Sequence, residues 1–515
     1  MSEITLESQI FEIIKDKDMP EHVKLAKLEM LVMLGVDLKA KDECGFSALG
    51  CAAREGCKEV AEFLIEKGAD VNIKNVKNFN VTPLIDASRN GHKEVVELLI
   101  KNGALVDTKD RHGWTALLQA SRNGHKEVAE LLIDNNANVN VDVGANFTPL
   151  ILATKGGHKD VVELLLEKGA NINRTDGEYE TVLMLAIKKG FSDIAKLLIE
   201  KGADINIKVK NSCCTALMFA SQNGQKDVVE LLLEKGADVN AKENYNGWSS
   251  LMFAANHGYK GATELLIEKG ANVNAKDDDG YTALMRASYN GHKEVVELLI
   301  EKGANVNAKD ANGDTALMWA SSEGHKEVVE LLIENGANVN AKNNDGVTAL
   351  LKTVQHNYID VAKLLIANGA NVNLKSNDKL TCLYWAVRNN HKKMIELLLS
   401  NGADIEARTR DKTTVLMLSS QQCFKETVEL LISKGANINA KDKNDNTPLS
   451  FALQYKEIEI AKLLMENGAI MDASFKGRFG SLDSEFQKMI DNAIEKESKK
   501  DTGDVVKILK NWFER

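Results

Sequence analysis

The sequence predicts an all-α repeat solenoid, a curved stack of helix-turn-helix units with a helical capping unit at each end. Three observations carry that expectation. A Thr or Ser opening the triplet TAL, TPL or a close variant recurs at Ser47, Thr82, Thr115, Thr148, Thr181, Thr215, Ser249, Thr282, Thr315, Thr348, Thr381, Thr414 and Thr447. Its intervals are 35, 33, 33, 33, 34, 34 and then 33 six times, a spacing that belongs to stacked supersecondary units and not to separate globular domains. The composition fits: 44% of the 515 residues are apolar but only 5% aromatic, so the core is Leu, Val, Ile and Ala, with 36 glycines to stop elements and only four prolines. Finally, each unit holds two short apolar-periodic stretches, neither long enough to be a stable helix alone, so neighbouring units must supply the stability.

In chain order, residues 1–40 read as an N-terminal cap of two helices, Leu6–Lys15 and Glu21–Leu34. Residues 41–473 are the array of about thirteen repeats. The unit from Asp310 to Asn343, DANGDTALMWASSEGHKEVVELLIENGANVNAKN, shows the logic. Gly313 serves a turn, Thr315 caps a helix, and Ala316 (Pro in three other units) takes its first position. Leu317, Ala320 and Ser321 share a face, and Gly324 ends the helix. Val328, Val329, Leu331, Leu332 and Ile333 give a second helix its apolar side, which Gly336 closes as a left-handed cap. Residues 474–515, with helices expected at Leu482–Glu497 and Val505–Phe513, read as the C-terminal cap; the alternative for VVKILKNWFER is a detachable partner-binding helix.

The unit resembles the ankyrin repeat: a turn, Thr-Pro/Ala-Leu, a helix, Gly-His, a helix with V-V-E-L-L-I, then Gly-Ala-Asn/Asp-Val-Asn, over residues 42 to 473. One departure is systematic. The family's usual His after T-P-L is absent, and Met184, Met218, Met252, Met285, Met318 and Met417 most often stand there, which implies that packing replaces its structural hydrogen bond. The resemblance implies a non-enzymatic scaffold that binds another macromolecule, by default a protein, on its concave face. Two other readings stay open. Some ankyrin arrays bind oligoadenylates on basic and aromatic concave residues, which suggests a sensor of a phosphorylated ligand or oligonucleotide. The Lys/Asn/Ile-rich, Pro-poor style is similar to that of bacterial and protist ankyrin proteins, which suggests an effector delivered into a host cell.

Chemistry is scarce in the sequence. A net charge of −10 argues against general affinity for nucleic acid or anionic membranes. No apolar stretch approaches a membrane span and the start lacks the features of a secretory signal, so a cytoplasmic location is expected. Seven cysteines without a CxxC pair fit a reduced compartment, and the vicinal Cys213 and Cys214 read as inert turn residues. His92, His125, His158, His292 and His325 occupy one repeat position, roughly 10 Å apart in adjacent units, too far to share a metal ion. They read as framework residues. No P-loop, HExxH, GxSxG or dinucleotide fingerprint appears, so neither catalysis nor a cofactor or metal is expected.

The candidate site lies where the repeat varies. The seventh place after the Thr or Ser carries Arg54, Arg89, Arg122, Lys155 and Lys188 in five consecutive repeats, a basic stripe about 40 Å long at roughly 10 Å per repeat, suited to an acidic or phosphorylated ligand. The place before the Thr or Ser adds Phe46, Trp114, Phe147, Trp248 and Tyr281. The fourth place after it, where Asp, Gln, Arg and Lys alternate with apolar residues, is expected to reach water or a ligand. It presents Phe219, Phe253, Arg286, Trp319, Lys352 and Trp385 in six consecutive repeats, either as framework packing or as a binding strip.

Overall fold

A computed structural model of the chain describes residues 6–144, 147–210 and 212–470. The expected C-terminal cap, 474–515, therefore lies outside the described residues. Among those described there are 28 helices and no strand, so the chain is an all-α repeat solenoid. No helix among them is long and apolar enough to cross a membrane. The chain divides into two compact units, Met1–Ala254 with Gly261–Ala271 and Ala255–Lys260 with Asn272–Arg515.

In the first unit, helices Leu6–Lys15 and Glu21–Met33 form where the sequence places them. They pack on Ala48–Glu55 and Lys58–Glu66 and so begin two rows of stacked helices. Ile10, Phe11 and Ile14 are buried, and Lys24 is buried beside them, its ammonium donating to the Ile14 carbonyl at 2.9 Å. The first-helix row continues through Pro83–Asn90, Ala116–Asn123, Pro149–Gly156, Val182–Lys188 and Ala216–Gln222, each packed on the one before. In the second unit the corresponding row is Ala283–Tyr289, Ala316–Glu323, Ala349–Gln355, Cys382–Arg388, Val415–Gln421 and Pro448–Gln454. Second helices of nine residues, such as Lys126–Asp134 and Lys326–Glu334, form the other row.

Each first helix starts as the sequence dictates. The Thr or Ser hydroxyl accepts the third helical N–H, as Thr115 does from Leu118 (3.3 Å) and Thr315 from Met318 (3.4 Å), satisfying a donor that the helix itself cannot. The methionines that replace the family's histidine are buried, at most 1% exposed. They substitute packing for that histidine's hydrogen bond and add a weak contact in two repeats, where the sulfur of Met218 or Met417 lies 3.4 Å from the N–H of its own capping Thr.

Two ladders tie repeat to repeat. On one side the framework histidines reach back. Nε2 of His92, His125 and His158 lies 2.9–3.0 Å from the carbonyl oxygens of Arg54, Arg89 and Arg122, and in the second unit His292 and His325 meet those of Asn256 and Tyr289. These carbonyls sit in the last turn of a first helix, where intrahelical donors run out. The ring seats on the glycine after that helix: a Cβ at Gly91, whose φ is +79°, would lie 2.5 Å from His125 Nδ1. On the other side asparagines of the turn that follows each second helix bridge forward. Asn307 donates to the Gly336 carbonyl (3.0 Å) and accepts from the Asn338 N–H (2.8 Å); Asn274, Asn340 and Asn373 repeat the pattern in the second unit, and Asn72 and Asn140 in the first.

Candidate partner-binding surface

In several repeats the turn before the first helix is built on a carboxylate or amide five residues ahead of the Thr; Glu243 does this from six residues ahead, and the hydroxyls of Ser376 and Thr409 take the place elsewhere. Asp110 Oδ1 accepts the N–H groups of His112 and Trp114, and Asp310 Oδ1 those of Asn312 and Asp314. One oxygen thus closes the turn. The other faces the first helix, and that is the feature which sequence periodicity did not reveal: the turn residue and the variable fourth place after the Thr are partners across nine residues. Asp277 Oδ2 holds Arg286 at 2.6 Å, and Asp310 Oδ2 takes the indole N–H of Trp319 at 3.1 Å.

In the first unit the residue before the Thr or Ser and the seventh after it pair within one repeat. The guanidinium of Arg54 lies 5.3 Å from the Phe46 ring centroid, that of Arg122 lies 5.3 Å from Trp114, and the Lys155 ammonium lies 4.9 Å from Phe147. Lys188 instead meets Glu180 at 2.6 Å and stands over Phe219 of the next repeat at 5.3 Å. Carboxylates accompany most of the stripe. Arg54 is 3.9 Å from Glu55, Arg89 is 3.5 Å from Asp86, and Lys155 is 3.4 Å from Asp176. Arg122 has no carboxylate partner among the described residues; its side chain rests on the Trp114 ring alone.

The expectation that the fourth place reaches water fails in these repeats. Asp86 and Gln119 are buried, at 2% and 6% exposure, as are Cys51 and Leu152. The consequence is visible at Asp86: burial pushes its carboxyl up to about 6 even though Arg89 and Arg54 pull the other way, so desolvation outweighs the ion pair. Phe46 is buried as well. Trp114 and Phe147 are half-buried, packed on the buried Leu118, Val141 and Leu152. Between them opens a cleft of about 360 Å³ lined by Trp114, Arg122, Phe147, Leu152, Lys155 and Gly156. A second cleft, about 520 Å³, lies over Phe46, Arg54, Lys77, Asp86 and Arg89 with Glu43 at its edge. Trp248, also half-buried, meets Phe253 of its own repeat at 5.1 Å between centroids.

In the second unit Arg286, Trp319 and Lys352 form one cluster with Tyr281 and Tyr289. The Trp319 ring lies 5.4 Å from Tyr281 and 5.7 Å from Tyr289, with the Lys352 ammonium 4.7 Å away. Arg286 stacks on Tyr281 at 4.0 Å, and Lys352 reaches Asp314 at 2.9 Å. Burial, and then the nearby Asp310 charge, raises the Tyr281 hydroxyl above its ordinary range. Both cations are thus matched by carboxylates that are almost wholly buried. Trp385 stands apart, with Arg388 over its ring at 4.9 Å.

Among the described residues no three His, Cys, Asp or Glu side chains converge as metal ligands would. The cysteines are free thiols, and burial raises those of Cys51 and Cys382 to about 12 and raises that of Cys214 as well. No curated protein matches the chain. A family model described as ankyrin repeats (3 copies) matches residues 21–110, 105–176, 175–243, 217–310, 251–343, 317–409 and 383–474. The match begins inside the segment assigned to the N-terminal cap, at the start of helix Glu21–Met33, and runs through the last described repeat; the chain belongs to the ankyrin-repeat family.

Proposed function

We propose that the chain is a non-enzymatic recognition scaffold that binds a protein partner on its concave face, the face carrying the turns and first helices. Ankyrin repeats are generally protein-interaction modules, which supports the coarse reading. The observation that carries it further is a division of labour among side chains. Thr caps, His bridges and Asn bridges occupy the same places in repeat after repeat and hold the stack together. At Arg54, Arg89 and Arg122 the seventh place lends that framework a backbone carbonyl, which leaves the three side chains for other work. Rings and cations concentrated there are the side chains that give binding energy when a partner desolvates them. Carboxylates beside four of the five stripe cations weigh against a phosphorylated ligand or oligonucleotide, whose charge they would oppose.

The test is photo-crosslinking of the full chain, with the cross-linker placed at Lys77, an exposed residue lining the same cleft as Arg89, in lysate. A protein should be captured by the wild type and lost from a variant carrying Arg89→Glu, Arg122→Glu and Lys155→Glu, or from one carrying Trp319→Ala and Trp385→Ala. Capture undiminished by both sets would refute the assignment of this face.

A further inference from the structure

We propose that the cleft between Trp114 and Phe147 binds an acidic peptide segment of the partner, with a carboxylate seated between Arg122 and Lys155 and a neighbouring apolar side chain against Leu152. The inference rests on the reading of the chain as a protein-binding scaffold and narrows it from a stripe of five cations to one cleft.

Charge distinguishes this cleft from the other. Arg54, Lys77 and Arg89 share the larger cleft with Glu43 and Asp86. The smaller has Arg122 and Lys155 on its wall and no acidic side chain in its lining; the one carboxylate in reach is Asp176, 3.4 Å from Lys155. Stacking also prepares Arg122. Its guanidinium lies over the Trp114 ring at 5.3 Å and meets no carboxylate among the described residues, so its forked N–H groups are available to a bidentate acceptor. The walls are aromatic and the floor, Leu152, is backed by Leu118 and Val141, so a side chain entering beside the carboxylate meets apolar surface.

The position in the fold selects a carboxylate over a phosphate. Arg122 and Lys155 lie in the last turns of helices Ala116–Asn123 and Pro149–Gly156. Helix C-termini present carbonyl oxygens and the negative end of the dipole, so no row of N–H groups is on hand to receive a dianion. Asp176 beside Lys155 adds to that penalty. A single carboxylate with an apolar neighbour is the ligand whose charge and shape match what lines the cleft.

The experiment pans a displayed library of random 12-residue peptides on the full chain. Recovered peptides are then measured by fluorescence anisotropy against wild type, Arg122→Glu, Arg122→Lys, Lys155→Glu and the charge-matched control Lys159→Glu, with circular dichroism melts to confirm folding. The peptides should share Asp or Glu beside an apolar residue. Arg122→Glu should weaken binding at least tenfold and Arg122→Lys several-fold, because the lysine keeps the charge and loses the fork. Lys159→Glu should stay within twofold, and affinity should drop at least threefold between 50 and 300 mM NaCl. Peptides without an acidic residue, peptides that bind Arg122→Glu as tightly as wild type, or no recovered peptides would each overturn the proposal. So would labelled ATP or oligonucleotide that binds the wild type and is lost with Arg122→Glu. Peptides lost with Trp319→Ala but not with Arg122→Glu would sink the cleft and leave the scaffold reading standing. Failure of the scaffold reading itself shows separately, as absence of any captured protein in the cross-linking experiment.

Discussion

The Nε2 atom of His125 lies 3.0 Å from the carbonyl oxygen of Arg89, so one residue serves two masters: its backbone anchors the next repeat and its side chain faces the proposed partner. Framework and recognition meet at the same Cα without competing. Substitutions at the seventh place that keep the helix intact therefore leave the ladder in place.

The histidine seat gives the first prediction. His125→Ala removes one inter-repeat hydrogen bond and should cost about 1 kcal/mol. Gly91→Ala should cost more than that, because it strains a positive φ and drives a Cβ into the ring at 2.5 Å. In the double variant the clash is gone and only the φ strain and the lost bond remain. Urea melts should accordingly show the two substitutions costing less together than the sum of their separate effects. Strict additivity would mean that the ring does not sit on Gly91.

Asp86 yields a pH dependence with a definite sign. Its folded pKa of about 6 lies above the ordinary value of 3.8, so the folded state holds the proton more tightly than the unfolded chain does. Stability from this group is present in acid and is lost as pH rises from about 4 through 6. The loss amounts to roughly 3 kcal/mol. Asp86→Asn should therefore stabilise the chain at pH 7.5 and have little effect at pH 4. Denaturant midpoints at the two pH values check it, and a variant that is destabilised at pH 7.5 would show that the Arg89 pair outweighs burial.

The asparagine ladder separates donor from acceptor. Asn307→Ala loses both bridges to the next repeat, whereas Asn307→Asp keeps the acceptor for the Asn338 N–H and loses the donor to Gly336. Each exposed bridge contributes about 0.5–1 kcal/mol. The alanine variant should be roughly twice as destabilised as the aspartate one in thermal melts. The chain contains its own aspartate example, since Asp107 accepts from the Asn138 N–H at 3.1 Å through a carboxylate, which has no N–H to donate forward.

The two tryptophans should part company. Trp319 donates to buried Asp310 and packs on two tyrosines and a lysine, so Trp319→Ala should cost about 2–3 kcal/mol. Trp385 has Arg388 over one face and Tyr384 at its edge, 6.3 Å away, so its loss should cost about 1 kcal/mol or less. Trp319→Phe keeps the ring and strands Asp310 Oδ2, and should fall between the two. Equal losses for Trp319→Ala and Trp385→Ala in chemical denaturation would contradict the cluster described above.

The repeat period, the Thr caps, the glycine stops and the framework role of the histidines were all legible in the sequence because each acts on its own repeat or through strict periodicity. Both N-terminal helices were legible too. What escaped were contacts between places that vary independently. Asp277 with Arg286 and Asp310 with Trp319 join a turn residue to a helix residue nine positions on, and no periodic signal couples them. The asparagines of the Asn-Val-Asn segment sit in a turn, and the part their amides play in closing the ladder to the following repeat escaped as well. Asp86 and Gln119 escaped for a further reason. Side-chain chemistry marked their position as wet, but the long cations at the seventh place and the neighbouring repeats cover it.

Because His and Asn bridges reach only to an adjacent repeat, the array can be edited by whole blocks. Excising the 33 residues from Thr282 to Asp314 would bring His325 to the Asn256 carbonyl that His292 now uses, and Asn274 to the Gly336 carbonyl in place of that of Gly303. The joint would reproduce bonds already present elsewhere in the stack. The reading surface would not: Tyr281 would then face Trp319 where Arg286 had been, and the carboxylates of Asp310 and Asp314 would be gone. Gaining or losing such a cassette would thus change the proposed partner surface, with no new folding problem to solve at the seam.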